Sequence, residues 1–161
     1  MTNQSSADQN TKTFYDKIFI ASDHAGFELK EQLKTSLTQL PWQDLGPIDT
    51  ASVDYPDYAN KVVQKVLATY ANNERAIGVL ICGSGQGMAI RANRNPKIRA
   101  ALCLSEEMAS LARAHNNANV LCLGAKLTNA KAARAILETF LKTNFEGGRH
   151  ERRVAKLSEP S

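Results

Sequence analysis

A cysteine stands directly before three glycines at alternate positions in Ile81-Cys82-Gly83-Ser84-Gly85-Gln86-Gly87, at the end of an apolar run. Bare backbone at those glycines lets something approach closely. The N–H groups at the start of a following helix would converge on an anion. The same dipoles favour a thiolate over a thiol at Cys82. The chemistry this allows is a reactive sulfur beside a backbone anion cradle. A tight turn with a structural cysteine explains the same residues without chemistry. The G-x-G-x-G spacing differs from the dinucleotide pattern G-x-G-x-x-G and follows the third apolar run, not the first. No Lys-Ser or Lys-Thr pair follows to make a P-loop.

Other polar groups fall at comparable places. Ser22-Asp23-His24-Ala25-Gly26 follows the first apolar run. Asp23 reads as a helix N-cap with His24 on the surface, or both side chains face a ligand. His115-Asn116-Asn117-Ala118-Asn119 follows a helical stretch. His115 suits a helix C-terminus and asparagine a left-handed cap, or the cluster offers an acid and amide donors to a sugar ring. Arg149 and Arg153 are four apart beside Gly147 and Gly148, so on a helix they share a face. Two guanidinium forks suit a phosphate; a solvated basic tail is the plainer reading. Cys103, Cys122, Met88 and Met108 are expected in the core. The histidines and cysteines are too scattered for standard metal-ligand spacing, so no metal site is expected.

The elements that must position these groups alternate along the chain. Apolar strands are expected over Lys17–Ala21, Trp42–Leu45, Ala76–Cys82, Ile98–Leu104 and Val120–Leu123. Between them lie helical patterns over Gly26–Leu40, Tyr58–Tyr70 (Tyr70 inward), a short one ending at Asn93, Ser105–His115 and Thr128–Thr143. Ser105 is the cap of its helix, and Thr128 or Asn129 caps the last. The segment Gly46–Asp57, with Asp54-Tyr55-Pro56-Asp57, reads as a loop. Alternation of this kind predicts a three-layer αβα sandwich on a parallel sheet, and continuous apolar strands fit a sheet covered on both faces. Ligands of such sheets bind at the carboxyl ends of the strands. Most of the groups named above follow a strand.

The chain has 161 residues, 43% hydrophobic and 22% charged, with net charge +4. That fits one domain with a core of its own, expected over residues 17–157. Residues 1–16 read as a disordered tail and 158–161 as a frayed end. Three cysteines without a C-x-x-C pair point to a reduced, cytoplasmic setting. The polar start is not a secretory signal, and no apolar run approaches ~20 residues, so no membrane partner is expected. Nucleic acid is disfavoured by few basic residues without aromatic stacking positions beside them.

Taken together and in order, these segments resemble the ribose 5-phosphate isomerase B family within the RpiB/LacAB sugar-phosphate isomerases. The matching pieces are Ser22-Asp23-His24-Ala25-Gly26, Asp54-Tyr55-Pro56, Ile81 to Gly87, Ile98-Arg99-Ala100, His115 to Val120 and Phe145-Glu146-Gly147-Gly148-Arg149-His150. The similarity runs from about Lys17 to Leu157. It implies a Rossmann-like sheet of five parallel strands and a homodimer, or a dimer of dimers, whose active sites draw on both subunits. It implies an enzyme of the pentose phosphate pathway that needs no metal or other cofactor.

The resemblance also implies roles. Cys82 matches the base that moves a proton between C2 and C1, and Gly83, Gly85, Gln86 and Gly87 belong to the loop that cradles the enediolate oxygen. Ser84 matches a proton relay, His115 the acid that opens the furanose ring, and Asp23 and Asn116 contacts to the sugar. Tyr55 matches a lining residue, and His24, Arg149 and Arg153 phosphate ligands. Where many members carry an arginine in the phosphate site this chain has Lys126. Some members replace the loop cysteine by a nearby glutamate, whereas here Cys82 is present and Met88 is no acid. The same motifs serve allose 6-phosphate and galactose 6-phosphate isomerases. A non-catalytic phosphate-ligand module would explain the glycine loop and basic tail, but not the cysteine, histidine and aspartate at expected ligand contacts.

Overall fold

Seven consecutive buried residues, Ala76–Cys82, form the middle strand of the sheet. A strand flanked by sheet on both edges and helices on both faces meets no water, so every position is apolar or small. The computed structural model describes residues 14–159. Among them are five strands: β1 (Lys17–Ser22), β2 (Trp42–Asp44), β3 (Ala76–Cys82), β4 (Ala100–Leu102) and β5 (Val120–Gly124). They pair in parallel in the order β2-β1-β3-β5-β4. The helices are α1 (Phe27–Ser36), α2 (Tyr55–Ala71), α3 (Gln86–Ala92), α4 (Glu106–Asn116), α5 (Ala130–Lys142) and α6 (Arg149–Lys156).

Alternation along the strands divides the core in two. Ile18, Ile20, Ile77, Val79, Ile81, Leu121 and Leu123 pack with α1, α4 and α5 on one face. Phe19, Ala21, Leu80, Cys82, Val120 and Cys122 pack with α2 and α3 on the other. This is the expected three-layer αβα sandwich on a five-stranded parallel sheet. The chain leaves β1 toward β2 on one side and returns to β3 on the other, so the crevice between the ends of β1 and β3 is the topological switch point. Gly26 seals that corner: a Cβ there would lie 2.5 Å from the carbonyl oxygen of Ile81.

Several boundaries differ from the sequence expectation. The first helix ends at Ser36, and Leu37 and Leu40 stay buried in a turn before Pro41, because a residue preceding proline avoids the helical region. The second begins at Tyr55 with Pro56 in its first turn, a place where proline's missing N–H costs nothing. The supposed loop residues therefore start a helix. The fourth strand is only Ala100–Leu102, an edge strand, and Arg99 just before it donates its N–H to the Asn119 side chain. Tyr70, expected inward, is part-exposed with its hydroxyl donating to the Ala76 carbonyl. Met108, expected in the core, is exposed on α4, whereas Met88, Cys103 and Cys122 are buried. Ser105 caps α4 and Asn129, not Thr128, caps α5.

The tail expected over residues 1–16 lies outside the described residues except for Phe14, Tyr15 and Asp16. Tyr15 packs against the core, and Asp16 exchanges hydrogen bonds with Arg75. No helix among the described residues is long and apolar enough to cross a membrane.

Candidate active site

The end of β3 delivers Cys82 to the switch point with its side chain 5% exposed. Its Sγ accepts the N–H of Gly85 at 3.1 Å. That geometry needs Gly85 in the left-handed region at φ +76°, where glycine meets no Cβ penalty. The loop is clamped from β5: Ala125 N–H donates to the Cys82 carbonyl (2.9 Å) and Lys126 N–H to that of Gly83 (3.0 Å). A Cβ at Gly124 would lie 2.7 Å from the Ser84 carbonyl oxygen, so strand and loop are in close contact. Ser84 Oγ accepts the Gln86 N–H at 3.4 Å, and Gln86 opens α3. Burial pushes the Cys103 thiol up to about 11 and Cys122 higher still, so both stay protonated.

The side chains around the loop arrive from the ends of β1 and β5 and from the start of α2. Asp23 follows β1, is 7% exposed, and accepts the Gly26 N–H at 2.9 Å. Asp23 is therefore not the helix N-cap the sequence suggested: Gly26 takes that position, and the Asp23 carboxylate holds the Gly26 N–H from the preceding turn. His24 is exposed next to it. Its Nδ1 accepts the Val53 N–H at 3.4 Å, which leaves the proton on Nε2 as a donor. Tyr55 lies over the loop: a Cβ on Gly87 would be 2.7 Å from its ring. The Lys126 stem covers Gly83, 3.5 Å from the position of a Cβ there. Ser22, which the sequence did not single out, is fully buried with Oγ unpartnered among the described residues.

A second group assembles elsewhere. α4 runs back across the sheet and ends at His115 and Asn116, with Asn117 as a left-handed cap at φ 46°. The next strand starts at Val120, which pairs with Gly78, while Gly124 pairs with Cys82. The four steps between Val120 and Gly124 span about 13 Å. His115 and Asn116 therefore lie at the amino edge of the sheet and Cys82 at the carboxyl edge. Glu146 N–H donates to the Ala114 carbonyl, which docks α6 and its exposed Arg149 and Arg153 beside α4. Asp23, His24, Tyr55, Cys82, Ser84 and Lys126 come together; His115, Asn116, Arg149 and Arg153 do not join them within one chain.

This second group includes three side chains close enough to hold an ion, a proximity that the sequence spacing did not suggest. The rings of His115 and His150 stack at 4.3 Å and 11°, and Glu146 faces both. One ligating atom from each of the three lies within 4.8 Å of the others. The only sequence signal was the four-residue step from Glu146 to His150; His115 is remote in sequence. Burial, the His115 ring and the Arg149 guanidinium hold His150 below the ordinary histidine value.

Other proteins share this arrangement of chain. A ribose 5-phosphate isomerase B of Thermotoga maritima, solved by crystallography, is 54% identical over 88% of this chain and 97% of its own, with TM-score 0.82. The Mycoplasma genitalium ribose-5-phosphate isomerase B, solved with bound ribulose-5-phosphate, is 45% identical over 88% and 93%, with TM-score 0.81. Ribose-5-phosphate isomerase B of Escherichia coli is 37% identical over 88% of this chain and 94% of its own. Residues 18–157 match the family described as Ribose/Galactose Isomerase, a span that takes in β3, its glycine loop and both groups of polar residues. The chain belongs to the ribose/galactose isomerase family.

Proposed function

We propose that this chain interconverts D-ribose 5-phosphate and D-ribulose 5-phosphate through a cis-enediolate. The observation that carries the reading is the Gly85 N–H on Cys82 Sγ at the sheet's switch point, in a member of this family. Cys82 is the base that takes the proton from C2 and returns it to C1. A C–H beside a carbonyl is a weak acid, so donors must meet the oxygen as it becomes charged. The loop N–H groups of Gly83 to Gly87 other than that of Gly85, which is on Cys82 Sγ, do this, and losing one such donor costs ~10²–10³ in rate. With the oxyanion held by backbone, the proton transfer needs no metal.

The remaining residues bind and open the sugar. His115 gives a proton to the ring oxygen so that the furanose opens to the aldehyde. Ser84 relays the proton between the two substrate oxygens. Asp23 and Asn116 hold sugar hydroxyls, with Tyr55 and Gln86 lining the site. His24, through Nε2–H, joins Lys126, Arg149 and Arg153 on the phosphate. Remote binding energy of this kind positions the reacting carbon.

The active site is shared between two copies of the chain. Its support is the sheet itself, whose length separates Cys82 from His115 in one chain. Leu104, Met108 and Leu111 are exposed around α4, the helix that carries His115 in its last turn, which gives a second copy an apolar face to cover. A homodimer, or a dimer of dimers, is the assembly. Three unpaired cysteines suit the reducing cytoplasm.

The test follows ribose 5-phosphate with the protein in D₂O and EDTA by proton NMR, with Cys82→Ala alongside. Ribulose 5-phosphate carrying deuterium, lost in the variant, is the expected result. Turnover of allose 6-phosphate or galactose 6-phosphate but not of ribose 5-phosphate would move the substrate to six carbons. Binding of all three without exchange at carbon would sink the enzyme reading.

A further inference from the structure

His115 sits in the last turn of α4 and His150 in the first turn of α6, yet the two rings are stacked. Glu146 Oε2 lies 3.7 Å from Nε2 of His115 and 3.5 Å from Nε2 of His150. In a tetrahedral zinc site with bonds of about 2.1 Å, neighbouring ligand atoms stand roughly 3.4 Å apart. Both histidine–glutamate separations already approach the edges of such a tetrahedron. The ligating atoms all lie within 4.8 Å of one another, and the stacked imidazoles must tilt apart for both lone pairs to reach one ion. Backbone bonds fix the frame: Glu146 N–H on the Ala114 carbonyl and His150 N–H on the Gly147 carbonyl, each 3.0 Å. His150 is buried, while the side chains of His115 and Glu146 are 36% and 57% exposed. In the single chain an ion can therefore enter from solvent and keep a water as its fourth ligand.

We infer that His115, Glu146 and His150 form a binding site for a divalent transition-metal ion of the zinc class, and that the bound ion switches the enzyme off by occupying Nε2 of His115. Two imidazoles and one carboxylate suit zinc, cobalt or nickel rather than magnesium or calcium. The switching half rests on the ring-opening role proposed for His115; the binding half does not. Arg149 opposes the ion, since its Nε lies 3.5 Å from His150 Nε2. It is exposed and must swing into water when the metal enters. A phosphate group on Arg149 then competes with that movement, so sugar phosphate weakens metal binding.

The experiment titrates the EDTA-treated full chain with Co²⁺, read by its visible absorption, and with Zn²⁺ by calorimetry. One ion per chain is expected, without the intense near-ultraviolet band of a sulfur-to-cobalt bond. The spectrum should persist in Cys82→Ser. Affinity should fall at least ~10-fold in Glu146→Gln and in His150→Gln, as happens when even a ligand's supporting partner is lost. Circular dichroism of each metal-free variant checks that it folds. Zn²⁺ should stop ribose 5-phosphate turnover reversibly. Deuterium exchange at C1 of ribulose 5-phosphate should continue, because the 5-phosphate prevents ring closure of that ketose and no opening step is needed.

No binding in the wild type overturns the site. So does binding that survives Glu146→Gln and vanishes, with its sulfur band, in Cys82→Ser. Binding at the cluster with undiminished turnover overturns the switch, and the ring-opening role of His115 with it. Absence of any turnover before metal is added would count against the proposed function, while the cobalt spectrum still decides the site.

Discussion

Gly85 N–H points at Cys82 Sγ from 3.1 Å, and Gly85 holds it there at φ +76°. A Cβ at that position would stand 2.6 Å from Leu102 Cδ1 and 2.9 Å from the Leu123 carbonyl carbon. Gly85→Ala combines left-handed strain with overlap against β5 backbone and should cost about 2 kcal/mol or more in stability. It also moves the donor off the sulfur, so kcat/KM should fall by ~10². Urea denaturation and steady-state kinetics read the two effects. A fully active, equally stable variant would contradict the account of the loop.

Lys126 is attached to the loop by its backbone and by its stem over Gly83, which presents a point charge where a fork would bind phosphate on two sides. Lys126→Arg should lower KM for ribose 5-phosphate with little change in kcat. An unchanged or raised KM would show that this side chain does not limit phosphate contact.

The separation of Cys82 from His115 predicts complementation. Cys82→Ala and His115→Ala, each inactive as a homodimer, should regain activity when refolded together, because one of the two sites in a mixed dimer keeps both groups. Silence of the mixture, with mixed dimers demonstrated by tagged purification, would rule out sharing of this kind.

A pH effect on stability resides away from the site. Lys30, 1% exposed, is ion-paired to Asp44 at 2.7 Å and donates to the Pro47 carbonyl. Burial pushes Asp44 up, but the ammonium groups of Lys30 and Lys34 and the Gly46 N–H outweigh it and hold its carboxyl below the ordinary 3.8. Burial likewise lowers Lys34, but Asp44 and Glu31 outweigh it and raise the group above 10.5. A depressed carboxyl stabilises the fold above its unfolded value and loses that contribution as pH falls through the folded one; a raised amine does so below its unfolded value and loses it as pH rises. The cluster should therefore stabilise fully between the two ordinary values and weaken outside them. Asp44→Asn should cost about 3 kcal/mol at pH 7 by leaving Lys30 buried without its main partner, and should flatten the acid limb of urea midpoints measured from pH 3 to 7.

Much of the molecule was legible locally. The unbroken apolar run Ala76–Cys82, the glycines after it and the alternation of periods two and 3.6 determined a covered parallel sheet with a loop at a strand's end, because each depends on neighbours in sequence. Asp23, His24 and Lys126 could be read as loop residues beside that end for the same reason. Helix 2 was misread at Tyr55 because proline signals a loop and a first turn equally. Met108 was misread because methionine fits a core and an exposed face alike. Only the tertiary structure decided which edge of the sheet each group occupies: α4 runs against β5, so His115 and Asn116 end at the edge remote from Cys82. Only it brought His115 against Glu146 and His150, since that meeting depends on how α6 docks beside α4, a contact between segments far apart in the chain that no local pattern encodes.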